Sequence, residues 1–289
     1  MTGKLFLVAT PIGNLEDMPP RAVRILKEAD VIAAEDTRNS IKLLNHFDIH
    51  VSMTSYHEYN KYDKGKYLVD RMLRGETVAL ITDAGTPGIS DPGEVVVQMA
   101  AEAGIEVFSV PGPAAFVSAL IISGMPTGSF VFEAFLSRET KVRRQALERL
   151  KDETRTMILY EAPHHLVKTL EDLKAVLGGD RRIAICKELT KKHEKVLRTT
   201  ISEAAALYAE EKPRGEYVLV IHGKTEEELR RESEEKWTQY SVKDHVQHYI
   251  DQGRDKKTAM KLAAADRGCS RRDIYQALLQ DTGKGIEQR

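Results

Sequence analysis

Short apolar runs alternate with amphipathic stretches along most of the chain, and this alternation limits the possible folds more than any other property of the sequence. The runs span residues 5–9, 31–34, 77–82, 106–110, 130–134, 156–160, 182–186 and 217–221. Many are bounded by glycine and proline, and their length and Val/Ile content predict strands buried on both faces. Between them, residues 20–28, 37–46, 64–74, 94–103, 141–151 and 165–177 carry apolar side chains at helical spacing. Strand following helix in this way predicts the α/β class, with ligands taken up at the carboxyl ends of the strands.

A chain of 289 residues exceeds one ordinary domain. The stretch 111–128 contains AAFVSALIISG and then the turn-rich MPTG, and it divides the chain into a first α/β domain, 1–123, and a second, 124–224. Residues 225–240 include TEEELRRESEEK, which lacks an apolar stripe and reads as a solvated linker helix. From 241 to 289 three short helices are expected. Ser241 with Asp244 and Ser270 with Asp273 are spaced as capping boxes, and Gly253 and Gly268 sit where helices stop. This helix-turn-helix-like domain holds ten Lys/Arg against seven Asp/Glu, a balance compatible with touching phosphate and equally with a packing or dimerisation module. The final DTGKGIEQR reads as a frayed tail.

Apolar residues make up 42% and charged residues 30%, the balance of a globular protein, and the formal net charge is -1. Any polyanionic partner must therefore be met by local patches. Cys186 and Cys269 stand far apart and suggest thiols in a reducing compartment. The N-terminal apolar stretch is broken by Pro11 and Gly13, too short for a signal or membrane span, so the expected location is cytoplasmic, without membrane contact.

Three strand ends carry unusual loops. Thr10-Pro11-Ile12-Gly13-Asn14 follows the first run, but neither G-x-G-x-x-G nor a P-loop spacing occurs, which weakens dinucleotide and NTP readings. The segment 81–93, ITDAGTPGISDPG, packs three glycines, two prolines and two aspartates into thirteen residues. Glycines admit a ligand to the backbone, and carboxylates accept from ribose hydroxyls or attract a sulfonium or ammonium. The same loop is also compatible with a tight strand-helix junction in which Asp91 caps the helix. Ser109 to Ala115, SVPGPAA, enters a helix of small residues.

Polar clusters follow other strands. Glu35, Asp36 and Arg38 suit a phosphate clamp or, equally, a helix cap with a salt bridge. His57 suits a base. His164 and His165 are adjacent and cannot share one helix face, and no metal is expected. Lys141, Arg143 and Arg144 form a basic patch that could follow an RNA backbone or simply face solvent.

Taken in order, LFLVATPIGNLED, ADVIAAEDTR, TDAGTPGISDPG, VPGPAA, FVFEAFL, LYEAPHH, KELTKKHE and GEYVLVI resemble the ribosomal RNA small-subunit methyltransferase I family of the tetrapyrrole methylase superfamily. The resemblance covers residues 4–223. The sequence departs from it in VPGPAA, where serine is expected after the second proline, and in EAFL, where EGFL is expected. It implies two α/β domains with S-adenosylmethionine in the cleft between them, a small helical C-terminal domain, a homodimer, and methyl transfer to the 2′-oxygen of a cytidine near the decoding centre of small-subunit rRNA. By the same resemblance Pro11 and Gly13 shape the cleft floor. Asp83 and the segment Gly85, Thr86, Pro87, Gly88 and Ile89 hold the methionine and ribose of the cofactor, flanked by Ala114 and Ala115. Tyr160, Glu161, Gly215, Glu216 and Tyr217 close over adenine, while Glu35, Asp36, Arg38, His57, Asn60, Lys187 and Glu188 face the RNA.

A ribose hydroxyl is a weak nucleophile at neutral pH, so a base or a cation that steadies the developing alkoxide is required. Lys187 with Glu188 is the expected pair, and His57 is another base. Two rival functions remain: methylation of a small tetrapyrrole-like metabolite on the same scaffold, and a non-enzymatic RNA- or DNA-binding regulator that uses the C-terminal helices and leaves residues 83–93 little to do.

Overall fold

The computed structural model describes residues 2–283, so the expectation for the last six residues lies outside the described part. One compact unit holds two five-stranded sheets and ends at His222; the other begins at Gly223 and takes in Asp152–Thr154.

The first sheet comprises β1 (Lys4–Val8), β2 (Val31–Ala34), β3 (Met53–Ser55), β4 (Val78–Ile81) and β5 (Glu106–Val110), in the order β3-β2-β4-β1-β5. All pairings are parallel. Parallel neighbours require crossovers, supplied here by α1 (Pro20–Glu28), α2 (Thr37–His46), α3 (Lys61–Leu73) and α4 (Gly93–Glu102). The strands are apolar on both faces because helices cover both. In β4, Ala79 and Ile81 join the core formed with Ala22, Leu26 and Leu44. Val78 and Leu80 join the opposite core with Leu68, Met72 and Val96.

After α5 (Ala115–Ser123) the second sheet comprises β6 (Phe130–Phe135), β7 (Thr156–Glu161), β8 (Arg182–Lys187), β9 (Lys195–Thr200) and β10 (Tyr217–Ile221), in the order β6-β7-β10-β8-β9. Only β6 and β7 pair in parallel. One face is covered by α6 (Thr140–Arg149), α7 (Leu166–Leu177) and α8 (Ile201–Glu210). The other face packs on α5 through Ala119 and Leu120, with Ile158, Ala184 and Val220 opposite. Thus α5, which leaves the first sheet, buries its apolar side against the second.

The unit from Gly223 onward consists of α9 (Glu226–Thr238), α10 (Val242–Asp251), α11 (Lys256–Asp266) and α12 (Arg271–Gly283). Ser241 accepts from the Asp244 amide and Ser270 from the Asp273 amide, and Gly253 and Gly268 have positive φ, as their spacing predicts. The charge-dense α9 is more than a solvated helix: Trp237 near its end is buried and stacks on His245 at 3.5 Å. No helix among the described residues is long and apolar enough to cross a membrane.

Candidate functional site

The loops after β1, β4 and β5, which are adjacent strands, meet at the carboxyl edge of the first sheet. Backbone bonds join Thr10 and Gly85 in both directions, at 2.9 and 3.0 Å. Thr86 Oγ1 donates to the Pro113 carbonyl at 2.9 Å, which ties the β4 loop to the β5 loop. The β4 loop is also closed on itself. The Asp91 carboxylate accepts from the amides of Gly88, Ile89 and Gly93 and so shapes the loop, whereas the cap position of α4 is held by Pro92, which has no side-chain bond to offer.

These loops and the facing edge of the second sheet enclose a cavity of about 520 Å³. Its first wall includes Glu35, Asp83, Gly85, Thr86, Ile89, Ala114 and Ala115, and its second wall includes Tyr160, Glu161, Glu216 and Tyr217. The walls are joined where the Phe116 amide donates to the Tyr160 hydroxyl at 3.2 Å, which satisfies an amide at the start of α5. Burial raises the Tyr160 phenol above its usual range. Glu161 is itself held, accepting from Thr169 Oγ1 at 2.5 Å and from the Ala162 amide at 2.8 Å.

Acidity dominates the first wall. Asp83 accepts from the Asp36 amide at 3.2 Å and from Asn39 Nδ2 at 3.4 Å. Burial, with the nearby charges of Glu35 and Asp36, raises its carboxyl above the ordinary carboxylate value despite these bonds. Glu35 accepts from Thr82 Oγ1 at 2.7 Å. Asp36 caps α2 and is forked by the Arg38 guanidinium, which lowers its carboxyl to about 2; this is the cap with a salt bridge that the sequence allowed. A polyphosphate would meet carboxylates here, whereas a cation with a ribose attached would be held.

Residues that sequence reasoning passed over also line the cavity: Ile12, Thr82, Ala84, Phe135, Cys186, Leu189 and Val218. Phe135, Cys186 and Val218 belong to apolar strands that a sequence can read only as core, while Ile12, Thr82 and Ala84 lie in the loops the sequence singled out. Burial pushes the Cys186 thiol up to about 11, so it stands in the wall as a neutral apolar group.

Other expected residues stand elsewhere. Pro11, Gly13, Pro87, Gly88 and Gly215 shape loops next to the cavity and do not line it. The Gly13 backbone abuts the 189–191 loop of the second sheet, and the Asn14 amide donates to Thr190 Oγ1 at 3.1 Å. His57 and Asn60 bond each other and belong to the β3 loop. Lys187 places its Nζ 5.9 Å from the Tyr217 ring, behind the cavity wall.

Two expectations are corrected. Arg143 does not face RNA: it is 3% exposed, and its guanidinium bonds Asp172 at 2.6 and 2.8 Å as well as the carbonyls of Ser137 and Arg138. Arg144 also reaches Asp172, at 2.9 Å, while Lys141 is exposed. Glu188 is a poor base. Burial favours its protonated form, but bonds from the Glu216 amide and Lys191, each at 3.0 Å, outweigh this and hold it below the usual carboxylate range. It sits beneath the positive-φ Gly215, where a Cβ would stand 2.5 Å from its carboxyl carbon.

A two-sheet α/β protein with such a cavity is matched over residues 4–205 by the Tetrapyrrole (Corrin/Porphyrin) Methylases family model, which sets the class. A solved structure titled uroporphyrin-III C-methyltransferase from Thermus thermophilus complexed with S-adenosyl homocysteine has a TM-score of 0.54 at 17% identity, covering 76% of this chain and 97% of that one, a likeness of fold. The "Ribosomal RNA small subunit methyltransferase I" of Halalkalibacterium halodurans is 51% identical over 96% of both chains. That of Synechocystis is 46% identical over 96% of this chain and 98% of its own. The chain belongs to the ribosomal RNA small subunit methyltransferase I family.

Proposed function

We propose that this protein is an S-adenosylmethionine-dependent methyltransferase of small-subunit ribosomal RNA that methylates the ribose 2′-oxygen of a cytidine, working in the cytoplasm as a homodimer. The observation that carries the reading is the acidic cavity at the strand ends of the first sheet, closed from the other side by Tyr160, Glu216 and Tyr217. The names of the relatives supply the substrate class. The donor set fits the cofactor. Glu35 suits a cation and ribose hydroxyls, the backbone at Gly85 and Thr86 suits the amino-acid part, and Tyr160 and Tyr217 suit a flat ring.

When bound, the cofactor supplies a methyl group activated by its sulfonium. The protein's share is alignment, which can be worth roughly 7–11 kcal/mol in a bimolecular displacement. Transfer of that methyl group to a ribose hydroxyl would require a residue of the protein to take up the hydroxyl proton. Asp83 takes that proton in place of the engaged Glu188, because its carboxyl lines the cavity and burial raises it above the ordinary carboxylate value. His57 and Asn60, with Arg38, hold the approaching strand. Lys187, Lys141 and Arg144 supply positive charge at the periphery of the site.

The homodimer is supported by α5. Val117 is 43% and Ile121 68% exposed, one turn apart on the same face, beside Phe130 at 40%. A second copy covering these side chains would remove that apolar area from water. The test is transfer of label from methyl-labelled S-adenosylmethionine to small-subunit rRNA. Label in large-subunit rRNA alone, or in neither, would reject the reading.

A further inference from the structure

Three of the ten tyrosines fall at positions 59, 62 and 67, and all three are exposed. Tyr59 is 96% exposed and Tyr62 61%. Tyr67 is flanked by Lys64 at 4.6 Å and Arg71 at 5.8 Å from its ring. Tyr59 makes one ring contact, a T-shaped one with His57 at 6.1 Å, and among the described residues no cation stands over it. An aromatic side chain left this bare in the loop beside the cavity gains nothing from the fold.

The position of the loop is fixed by strand register. Ala34 of β2 pairs with Ser55 of β3 and Ile81 of β4 pairs with Ala34, so the loops after residues 34, 55 and 81 leave the sheet side by side. They are also bonded in series. The Asp36 amide donates to Asp83 at 3.2 Å, and the Tyr56 hydroxyl donates to the Pro92 carbonyl at 2.9 Å. The loops that carry Asp83, Arg38 and Tyr59 therefore lie together at one edge of the sheet, with Tyr62 in the first turn of α3 just beyond.

The charges there are mixed. The Arg38 side chain is 88% exposed, Lys42 and Lys66 face solvent, and Lys61 lies 5.6 Å from the Tyr62 ring while bonding Glu58. With Glu58 and Asp63 interspersed, the patch lacks the unbroken positive charge that suits a duplex backbone. Aromatic faces among a few cations are what unpaired bases use, each ring accepting any base by stacking.

We propose that Tyr59 and Tyr62 form a stacking platform for unpaired nucleotides of the strand whose neighbouring nucleotide enters the cavity, with Arg38 beside a phosphate. This rests on the reading that the substrate is RNA. The platform binds single-stranded RNA without strong sequence preference and explains how a target nucleotide is presented unpaired at the cavity mouth.

The test uses the full chain and a fluorescently labelled single-stranded RNA oligonucleotide, with a perfect hairpin of equal length as comparison. Tyr59→Ala should weaken single-strand binding about 10-fold, in line with one lost stack, and Tyr59→Phe should stay within about twofold of wild type. Hairpin binding and S-adenosylmethionine affinity, measured by calorimetry, should be unchanged by either. Tyr59→Ala and Tyr62→Ala that both bind the single strand like wild type would overturn the platform, as would equal loss with Tyr59→Phe. Methyl transfer to small-subunit rRNA, measured in parallel, separates the two ideas. Wild-type transfer with full activity in the alanine variants rejects the platform alone. Tyrosine-dependent binding without transfer supports the platform and rejects the methyltransferase reading.

Discussion

Gly13 and Lys191, from loops of different sheets, approach so closely that a Cβ on Gly13 would stand 2.5 Å from Lys191 Cγ and 3.1 Å from the Leu189 carbonyl oxygen. The glycine lets the loop after β1 press against the loop after β8, a contact that helps hold the two walls of the cavity together. Gly13→Ala must displace the Lys191 and Thr190 side chains or push the loops apart. A cost of about 1–3 kcal/mol in stability is expected from overpacking. Calorimetry should show weaker S-adenosylmethionine binding, although residue 13 does not line the cavity. Unchanged cofactor affinity would mean the walls are positioned by other contacts.

Arg143 and Asp172 form a buried pair, with side chains 3% and 4% exposed. Removing one partner of such a pair leaves an uncompensated charge and costs about 3–5 kcal/mol. Arg143→Met should reach the lower part of that range, because Arg144 still bonds Asp172. Chemical denaturation measures it. The bonds from both arginines outweigh burial and lower the Asp172 carboxyl. Its contribution is therefore present above the unfolded carboxylate pKa and is lost as pH falls through the folded value. The wild-type advantage over Arg143→Met should shrink at acid pH.

Asp83 has the opposite shift, its carboxyl raised by burial and by Glu35 and Asp36. If it takes the ribose proton, the acid limb of the rate-pH profile should lie above the ordinary carboxylate range. Asp83→Asn should remove that limb and lower turnover by about 10²–10⁴-fold. A variant that keeps the wild-type limb would exclude Asp83 as the base.

The helical unit carries its own pH sensitivity. Burial outweighs the Asp266 carboxylate and lowers the pKa of His245 from 6.5, so the folded state favours the neutral ring. Below the unfolded pKa the unfolded chain binds the proton first, and stability falls until the folded value is passed. Trp237, the single tryptophan, stacks on this ring and reports the change. Its fluorescence melt should shift to lower temperature between pH 7.5 and 5.5, and His245→Gln should flatten that dependence.

Most strands were legible because the burial of both sheet faces demands continuous apolar runs; β2, β5 and β10 occupy the residues expected. Two edge strands were not. β3 has only three half-buried residues, and β9, KVLRTT, mixes exposed charge with apolar positions as an edge permits. Helix α8 carried a readable signal that was passed over, the capping box of Thr200 and Glu203. At the site, loops rich in glycine, proline and aspartate announced themselves. The partners of Arg143 and Glu188 did not, since Asp172 and Glu216 lie 29 and 28 residues away along the chain. Cys186 and Val218 line the cavity from strands whose composition signals only a core.

The most direct test incubates the protein with methyl-labelled S-adenosylmethionine and small ribosomal subunits from cells lacking the gene, then digests the RNA and identifies the labelled nucleoside. The proposed function predicts label in 2′-O-methylcytidine, lost with Asp83→Ala. Label on a base, or none in RNA while the cofactor is bound, would contradict ribose methylation by this cavity.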